Sequence, residues 1–258
     1  EKGEMACGGF GEGKMSSPRQ IYKYLKNYFN NKNIVKKKNW KAIVTTGPTR
    51  EYLDPVRYIS NESSGKQGCE IAIALNKLGI KTTLISGPSS LTFPKDLKVK
   101  KITSADEMLN EVKKSLPADL VVCAAAVTDF KPIKNNKNKI KKEAIKLQKI
   151  NFVKNYDILE YVSKNNKHRP RLVAGFSAET ENVINNSVTK MKNKNCDIIF
   201  ANDVSQKGVG FNSDYNKIFV IDGKDKVKII PKNKKSFIAN KIAEILLDKL
   251  LTNDKNIN

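Results

Sequence analysis

The sequence predicts an α/β fold, a mostly parallel sheet with helices on both faces, and three observations carry that prediction. From Lys41 onward, apolar runs alternate with helical patterns in the rhythm of βαβ units. The run after Asp119, LVVCAAAV, is wholly apolar, as a central parallel strand buried on both faces requires. Between KAIVTT and the helical run CEIAIALNKLG lie about twenty residues dense in Asp, Arg, Asn, Ser and Gly, so the unit opens as strand, long polar loop and helix. Together these define a Rossmann-like class with one irregular, basic insertion.

Taken in order, the first residues, EKGEMACGGFGEGKMSSPRQI, are too rich in glycine to form an element and end in a helical stretch from Ser17 to Phe29. Asn30 to Asn39, rich in lysine and asparagine, reads as a linker, and a boundary falls at Trp40. Strand 41–46, helix 69–78 closed by Gly79, strand 81–86 and a short strand 97–102 follow. Ser104 and Glu107 form a capping box that starts a helix reaching Ser115, and strand 119–126 comes next. The alternation then stops for about thirty residues, a length that marks a functional or disordered insertion. Within it, KNKIKKEAIKLQKI places Lys139 and Lys141 on one side and reads as a short basic hairpin or flap. Helix 157–164, strand 171–176, helix 180–194 and strand 197–201 resume the pattern. A hairpin of 217–222 and 226–230 around Gly223 and a helix from Ser236 to Leu251 close it.

A chain of 258 residues with 39% hydrophobic content can bury a sizeable core. No apolar run reaches the roughly 18 to 20 residues of a membrane helix, and the expected location is the cytoplasm. The four cysteines stand far apart without a C-x-x-C pair, which argues against a zinc site or dithiol chemistry. A net charge of +22 raises nucleic-acid binding as a rival reading. Against it, the lysines are scattered among asparagines and lack interleaved aromatics for base stacking. No nucleic-acid or membrane partner is therefore expected, and a basic surface suits a polyanionic small ligand.

Four segments that follow strands are small or polar: GPTRE, AAAVTDF, GFSAET and NDVSQKGVGFNSD. In an open parallel sheet they lie along one edge, at the strands' carboxyl ends, where ligands bind. SSGKQG lacks the full P-loop pattern because Gln67 stands where Ser or Thr would meet magnesium. Without G-x-G-x-x-G after the first strand, a nicotinamide oxidoreductase is a weak alternative. The single histidine, His168 in KHRPR, gives no triad chemistry.

GPTREYLDPVRYISNESSGKQG resembles the signature GPTxExxDPVRxIxNxSSGKxG of phosphopantothenoylcysteine synthetase, the ligase of coenzyme A biosynthesis. AAAVTDF, KIKK, KNYDIL, GFSAET and ANDVSQKGVGF extend that likeness, in the family's order, from Trp40 to about Leu251. The resemblance implies amide formation between 4'-phosphopantothenate and cysteine, with CTP and Mg2+, through an acyl-cytidylate, in a homodimer. It implies that Lys139 serves acyl-cytidylate formation and Asn61 its capture by cysteine. By the same match, Cys123, Ala124, Ala125, Asp129, Lys139, Val153, Lys154, Asn155, Tyr156, Phe176, Lys190 and Lys194 are nucleotide-binding, and no metal ligand is assigned. Tyr156 replaces a usual proline and Gln67 a frequent methionine; Arg57 and Asn61 lie in a loop placed to complete the site at a subunit interface.

The first 29 residues resemble another family: MACGGFGEGKMSSPRQI is similar to the ACGxxGxGRMxEPxxI segment of phosphopantothenoylcysteine decarboxylase. Cys7 matches that enzyme's proton donor, expected to be inactive in this fragment, and FMN is expected only with the complete decarboxylase domain. The expected organisation is a decarboxylase remnant at 1–29, a linker at 30–39 and a phosphopantothenate–cysteine ligase domain at 40–258.

Overall fold

The computed structural model describes residues 2–4, 10–12, 15–141, 150–165, 167–206, 208, 210, 213–223 and 227–255. The chain divides into two compact units, residues 1–39 and 40–258. In the first, β1 (Lys2–Glu4) pairs antiparallel with β2 (Phe10–Glu12), and α1 (Pro18–Lys38) follows. Ser17 starts α1 through a reciprocal capping box: its hydroxyl accepts from Gln20 N at 3.4 Å, and Gln20 Oε1 accepts from Ser17 N at 2.9 Å. The linker read at 30–39 is corrected, because α1 runs through it to Lys38. Lysine is a good helix former, and the helix stops only where Asn39 turns left-handed at φ 53° and donates its N–H to Val35 O. Cys7 lies outside the described residues.

The second unit is built on an eight-stranded sheet. Its strands are β3 (Lys41–Thr46), β6 (Lys81–Ser86), β7 (Lys98–Lys101), β8 (Leu120–Cys123), β11 (Leu172–Glu179), β12 (Ile198–Asp203), β13 (Tyr215–Ile221) and β14 (Lys228–Lys234). Across the sheet the order is β14-β13-β12-β11-β8-β3-β6-β7; the last six run parallel, and β13 and β14 are antiparallel additions. The chain therefore winds outward in both directions from β3 and β8, where a crevice opens at the carboxyl ends.

Alternation along the central strands feeds two layers of helices. Ile43, Val121, Val173 and Ile199 face α3 (Ala105–Ser115) and α4 (Ile158–Ser163) in a cluster with Met108, Leu109, Val112, Leu159 and Val162. On that same face α5 (Val183–Lys194) covers β11 and β12, with Val183, Val188 and Met191 against the cluster; on the other face lie α2 (Lys66–Lys77) and the closing helix α6 (Lys235–Lys255), packed on one another. Ser104 caps α3 by accepting from Glu107 N at 3.2 Å, and the Glu107 carboxylate accepts from Thr103 N at 2.7 Å, one residue earlier than the capping box predicts.

Two polar stretches carry strands that the sequence does not announce. The loop after β3 contains the hairpin β4 (Arg50–Tyr52) and β5 (Tyr58–Ser60), and the irregular insertion is closed at its base by β9 (Phe130–Pro132) against β10 (Phe152–Lys154). Residues 142–149, where the basic flap would lie, are outside the described residues. No helix among the described residues is long and apolar enough to cross a membrane.

Close backbone approach fixes the start of α2. A Cβ on Gly68 would stand 2.4 Å from Thr46 Oγ1 and 2.7 Å from Thr46 Cβ, and one on Gly87 would stand 1.7 Å from Pro48 O. In Gly68→Ala the gain in helix propensity is at most about 1 kcal/mol, whereas overpacking costs roughly 1–3 kcal/mol. Urea denaturation should show net destabilisation, and a neutral or stabilised variant would mean that α2 does not press on Thr46.

Candidate functional site

A cleft of about 300 Å3 opens at the carboxyl ends of the parallel strands. Four chain segments converge on it: 61–68 ahead of and into α2, 124–127 after β8, 176–178 in β11, and Asn202 of β12 with Gly210 beyond it. Three of them belong to segments expected at one sheet edge, AAAVTDF, GFSAET and NDVSQKGVGFNSD; GPTRE does not line the cleft, and residues 61–68, later in the same β3–α2 connection, stand there instead. Asp129, Lys190 of α5, Asn216 of β13 and Lys235 at the start of α6 complete the wall.

The segment after β8 is held by the strand beside it. Ala124 N donates to Thr45 O at 3.2 Å, Ala125 N to Thr45 Oγ1 at 3.3 Å and Ala126 N to Gly47 O at 2.9 Å. Small side chains here leave the backbone open to a ligand. Across the cleft, Asn61 Nδ2 donates to Val127 O at 3.0 Å, tying the β3–α2 loop to this segment. Phe176 packs against Phe200 with ring centroids 5.5 Å apart, and its carbonyl accepts from Lys190 Nζ at 3.0 Å.

The amino end of α2 is a concentration of donors. Its N-cap, Gly65, provides no side-chain cap, and the first intrahelical bond runs from Cys69 N to Gly65 O, so the N–H groups of Gln67 and Gly68 precede the ladder. Lys66 Nζ pairs with Asp214 Oδ1 at 2.6 Å. Gln67 bridges elements: Nε2 donates to Lys235 O at 3.4 Å, and Oε1 accepts from Asn216 Nδ2 at 3.3 Å. Lys235, only 4% exposed, donates from Nζ to Gly210 O at 2.9 Å. Burial, with the charge of Lys66 nearby, holds its ammonium below the ordinary lysine range. Sequence reasoning missed Lys235 because KNKK reads as one more scattered basic run.

A second hollow, about 150 Å3, adjoins the first and shares Ala125, Asp129, Phe176 and Lys190 with it. Cys123, Asn155 and Tyr156 also line it. Burial pushes the Cys123 thiol up to about 12, so it stays a neutral wall residue. Asn155 N donates to Asp129 O at 2.8 Å and Nδ2 to Thr128 O at 2.8 Å, which holds the 155–157 loop against the end of β8. A third hollow, about 610 Å3, carries Lys154, Tyr156 and Lys194.

The expected site residues thus separate. Asn61, Cys123, Ala124, Ala125, Asp129, Asn155, Tyr156, Phe176 and Lys190 gather at the first two hollows, and Lys154 and Lys194 at the third. Exposed Lys139 and Val153 line none of the three. Beside Lys139, Ile140 N donates to Asp54 Oδ2 at 3.2 Å. Burial raises the Asp54 pKa, but N–H groups of Val56, Ile140 and Arg57 and the Arg57 guanidinium outweigh it and leave the carboxyl below its usual range. Asp54 thereby fixes Arg57 and the entry to the insertion together. No group of three His, Cys, Asp or Glu among the described residues is placed to hold a metal ion.

Lys190 and Lys194 share a helix face but not an environment. Lys194 Nζ pairs with Glu160 Oε2 at 2.8 Å and Asp157 Oδ2 at 3.0 Å. Hydrogen bonds from Lys164 and then Lys194 pull Glu160 from the ordinary 4.5 down to about 2. A carboxylate depressed in this way contributes stability above pH 4.5 and loses it as the pH falls toward 2. A carbon NMR titration should place Glu160 near 2 and show it higher, but still depressed by Lys164, in Lys194→Met; an unchanged value would mean that the Lys194 pair is not formed in solution.

Residues 37–250 match the family described as DNA/pantothenate metabolism flavoprotein C-terminal domain. A curated relative from Haemophilus influenzae, described as coenzyme A biosynthesis bifunctional protein CoaBC, is 40% identical over 245 residues, covering 95% of this chain and 60% of that protein. The chain therefore spans about three fifths of the length of the curated relatives it matches. A solved C-terminal domain of coenzyme A biosynthesis bifunctional protein CoaBC aligns with a TM-score of 0.69 at 30% identity, over 83% of this chain and 96% of the other. A Cab2 mutant in complex with phosphopantothenate-cysteine aligns with a TM-score of 0.69 at 15% identity, over 93% of this chain and 97% of the other, a likeness of fold alone. These findings correct the identification as a CTP- and Mg2+-dependent phosphopantothenate–cysteine ligase domain with a decarboxylase remnant. The matching family is described as a flavoprotein of pantothenate metabolism, and none of these descriptions names ligation, CTP or magnesium. The expected partners phosphopantothenate, cysteine and CTP are corrected with it, since the family and the relatives are described by pantothenate metabolism and coenzyme A biosynthesis and not by these ligands. Nor do the coenzyme A biosynthesis relatives support a nucleic-acid binder or a nicotinamide oxidoreductase. The chain belongs to the DNA/pantothenate metabolism flavoprotein C-terminal domain family.

Proposed function

We propose that the cleft binds phosphopantothenoylcysteine and that the chain works in a bifunctional protein of coenzyme A biosynthesis in which this conjugate undergoes flavin-dependent decarboxylation. The observation that carries the reading is the composition of the cleft wall. It joins the donor-rich end of α2, with Lys66 and Lys235, to amide and small-residue surface at Asn61 and 124–127 in one cleft. A phosphate at one end and an amide-bearing, flexible body match that division. The ligand named for the Cab2 neighbour and the pathway named for the relatives support the same reading. Cys69, Cys123 and Cys196, all free thiols, suit a reducing cytoplasmic setting.

A flavin, which the family name implies, is not matched by this wall. An isoalloxazine needs a flat apolar slot. Among the described residues the cleft presents one aromatic ring, Phe176, already packed on Phe200, between glycine, serine and lysine surfaces. No step is assigned to FMN at these residues.

In the proposed complex, Asn61 and the backbone of Ala124 and Ala125 receive the amide portion, and Phe176 and Lys190 close the opposite side. Isothermal titration of the chain with phosphopantothenoylcysteine should give saturable binding. Asn61→Ala should weaken it about three- to tenfold, the loss of one hydrogen bond. Absence of binding, or an unchanged affinity for pantothenoylcysteine without its phosphate, would remove the reading.

A further inference from the structure

We propose that Lys235 and the amino end of α2 form a subsite for a phosphoryl group, so that Lys235 determines selection of phosphorylated over unphosphorylated ligands. The proposal deepens the reading above and rests on it only for the identity of the molecule that carries the phosphate.

Two independent observations meet in one wall. The first is the amino end of α2, whose N–H groups at Gln67 and Gly68 stand ahead of the helical ladder and line the cleft. Alone, any helix start offers as much. The second is Lys235, a lysine 4% exposed that lines the same cleft from a different element. Among the described residues its ammonium makes one hydrogen bond, to the neutral Gly210 carbonyl at 2.9 Å, and no ion pair. Asp214, the carboxylate that acts on it, is held by Lys66 Nζ at 2.6 Å.

A buried cation without a counter-charge is unfavourable unless something supplies one. Here the remaining ammonium donors of Lys235 and the helix dipole share a sign and a cavity; among the described residues of the wall the one carboxylate, Asp129, stands against Lys66, Lys190 and Lys235, and with Lys66 paired to Asp214 the wall is left net positive. A phosphoryl dianion satisfies all of them at once: several acceptor oxygens for the Gln67 and Gly68 amides, and charge for the buried lysine. A carboxylate has fewer acceptor positions and half the charge. The position is also held rigidly, because Gln67 spans from α2 to the Lys235 carbonyl and to Asn216.

Lys235→Met keeps the length and the apolar stem and removes the charge. Inorganic phosphate should raise the thermal midpoint of the unmodified chain and shift the amide signals of Gln67 and Gly68. In Lys235→Met, its affinity should fall roughly tenfold to hundredfold, the loss of a charge-assisted hydrogen bond. Phosphopantothenoylcysteine should weaken by a similar factor, while pantothenoylcysteine binds both forms equally. Retention of phosphate affinity by the variant, or phosphate shifts confined to amides away from Gln67 and Gly68, would overturn the subsite. If the unmodified chain binds inorganic phosphate at these amides but not the conjugate, the subsite stands and the conjugate reading falls. If the conjugate binds both forms equally, only the subsite falls. Should Lys235→Met fail to fold, the amide shifts of the unmodified chain decide.

Discussion

The contact between Gly87 and Pro48 governs where the rest of the functional edge can go. A Cβ at Gly87 would lie 1.7 Å from Pro48 O, so the ends of β3 and β6 meet backbone to backbone with no side chain between them. The chain leaving β3 is thereby turned outward through the β4–β5 hairpin and returns to start α2 directly over Thr46. There the absent side chain of Gly68 and the hydrogen bond from Thr46 Oγ1 to Gly65 O, at 2.6 Å, pull the helix start onto the strand end. A larger residue at either glycine would lift α2 away from the sheet edge. The free N–H groups would then point past the cleft rather than into it.

Charge is distributed unevenly along this edge. Of the chain's 48 basic residues, most stand on the surface, where solvent screens them and their individual contribution is small. The lysines around the cleft differ in what they touch. Lys194 is neutralised by Asp157 and Glu160, and Lys66 by Asp214. Lys190 and Lys235 spend a donor on a carbonyl oxygen, Phe176 O and Gly210 O, which satisfies a hydrogen bond but leaves the charge standing. The cleft is therefore positive where Lys190 of α5 and Lys235 of α6 line it, and close to neutral in the neighbouring hollow by Tyr156. A ligand with one anionic end has only one favourable direction in which to lie.

Much of this was legible before any coordinates. The apolar run of β8, the alternating strands and Ser104 as a cap follow from local rules of burial and hydrogen bonding, and the four small or polar post-strand segments point to one edge because a parallel sheet puts them there. Composition misled at Asn30 to Lys38, where a polar run without apolar period continues a helix already nucleated at Ser17. It was silent on β4, β5, β9 and β10, three-residue strands whose pairing depends on partners six to twenty-four positions away rather than on their own sequence. Lysines were assigned to the site by motif, and the structure divides them: Lys190 lies in the wall, Lys194 in an ion-pair cluster beside it, and Lys139 on an exposed segment. Linear spacing places side chains on a helix face, but it does not state which carboxylate waits opposite.

Lys235 shows why the decisive residue of such a site can be invisible in a sequence and plain in a fold. At the junction of β14 and α6 the chain reads PKNKKSF, and nothing local separates one lysine from the next. Lys235 N donates to Asp214 O at 2.9 Å and its carbonyl accepts from Gln67, so the backbone there is held by two elements distant in sequence. That anchoring drives the side chain inward at a point where an apolar residue would pack at lower cost. A fold that keeps a desolvated cation where a methionine would serve stability better is shaped by something other than stability. The α2 amide groups face the same space and carry the same sign, so the compensating partner is an anion that arrives with the ligand.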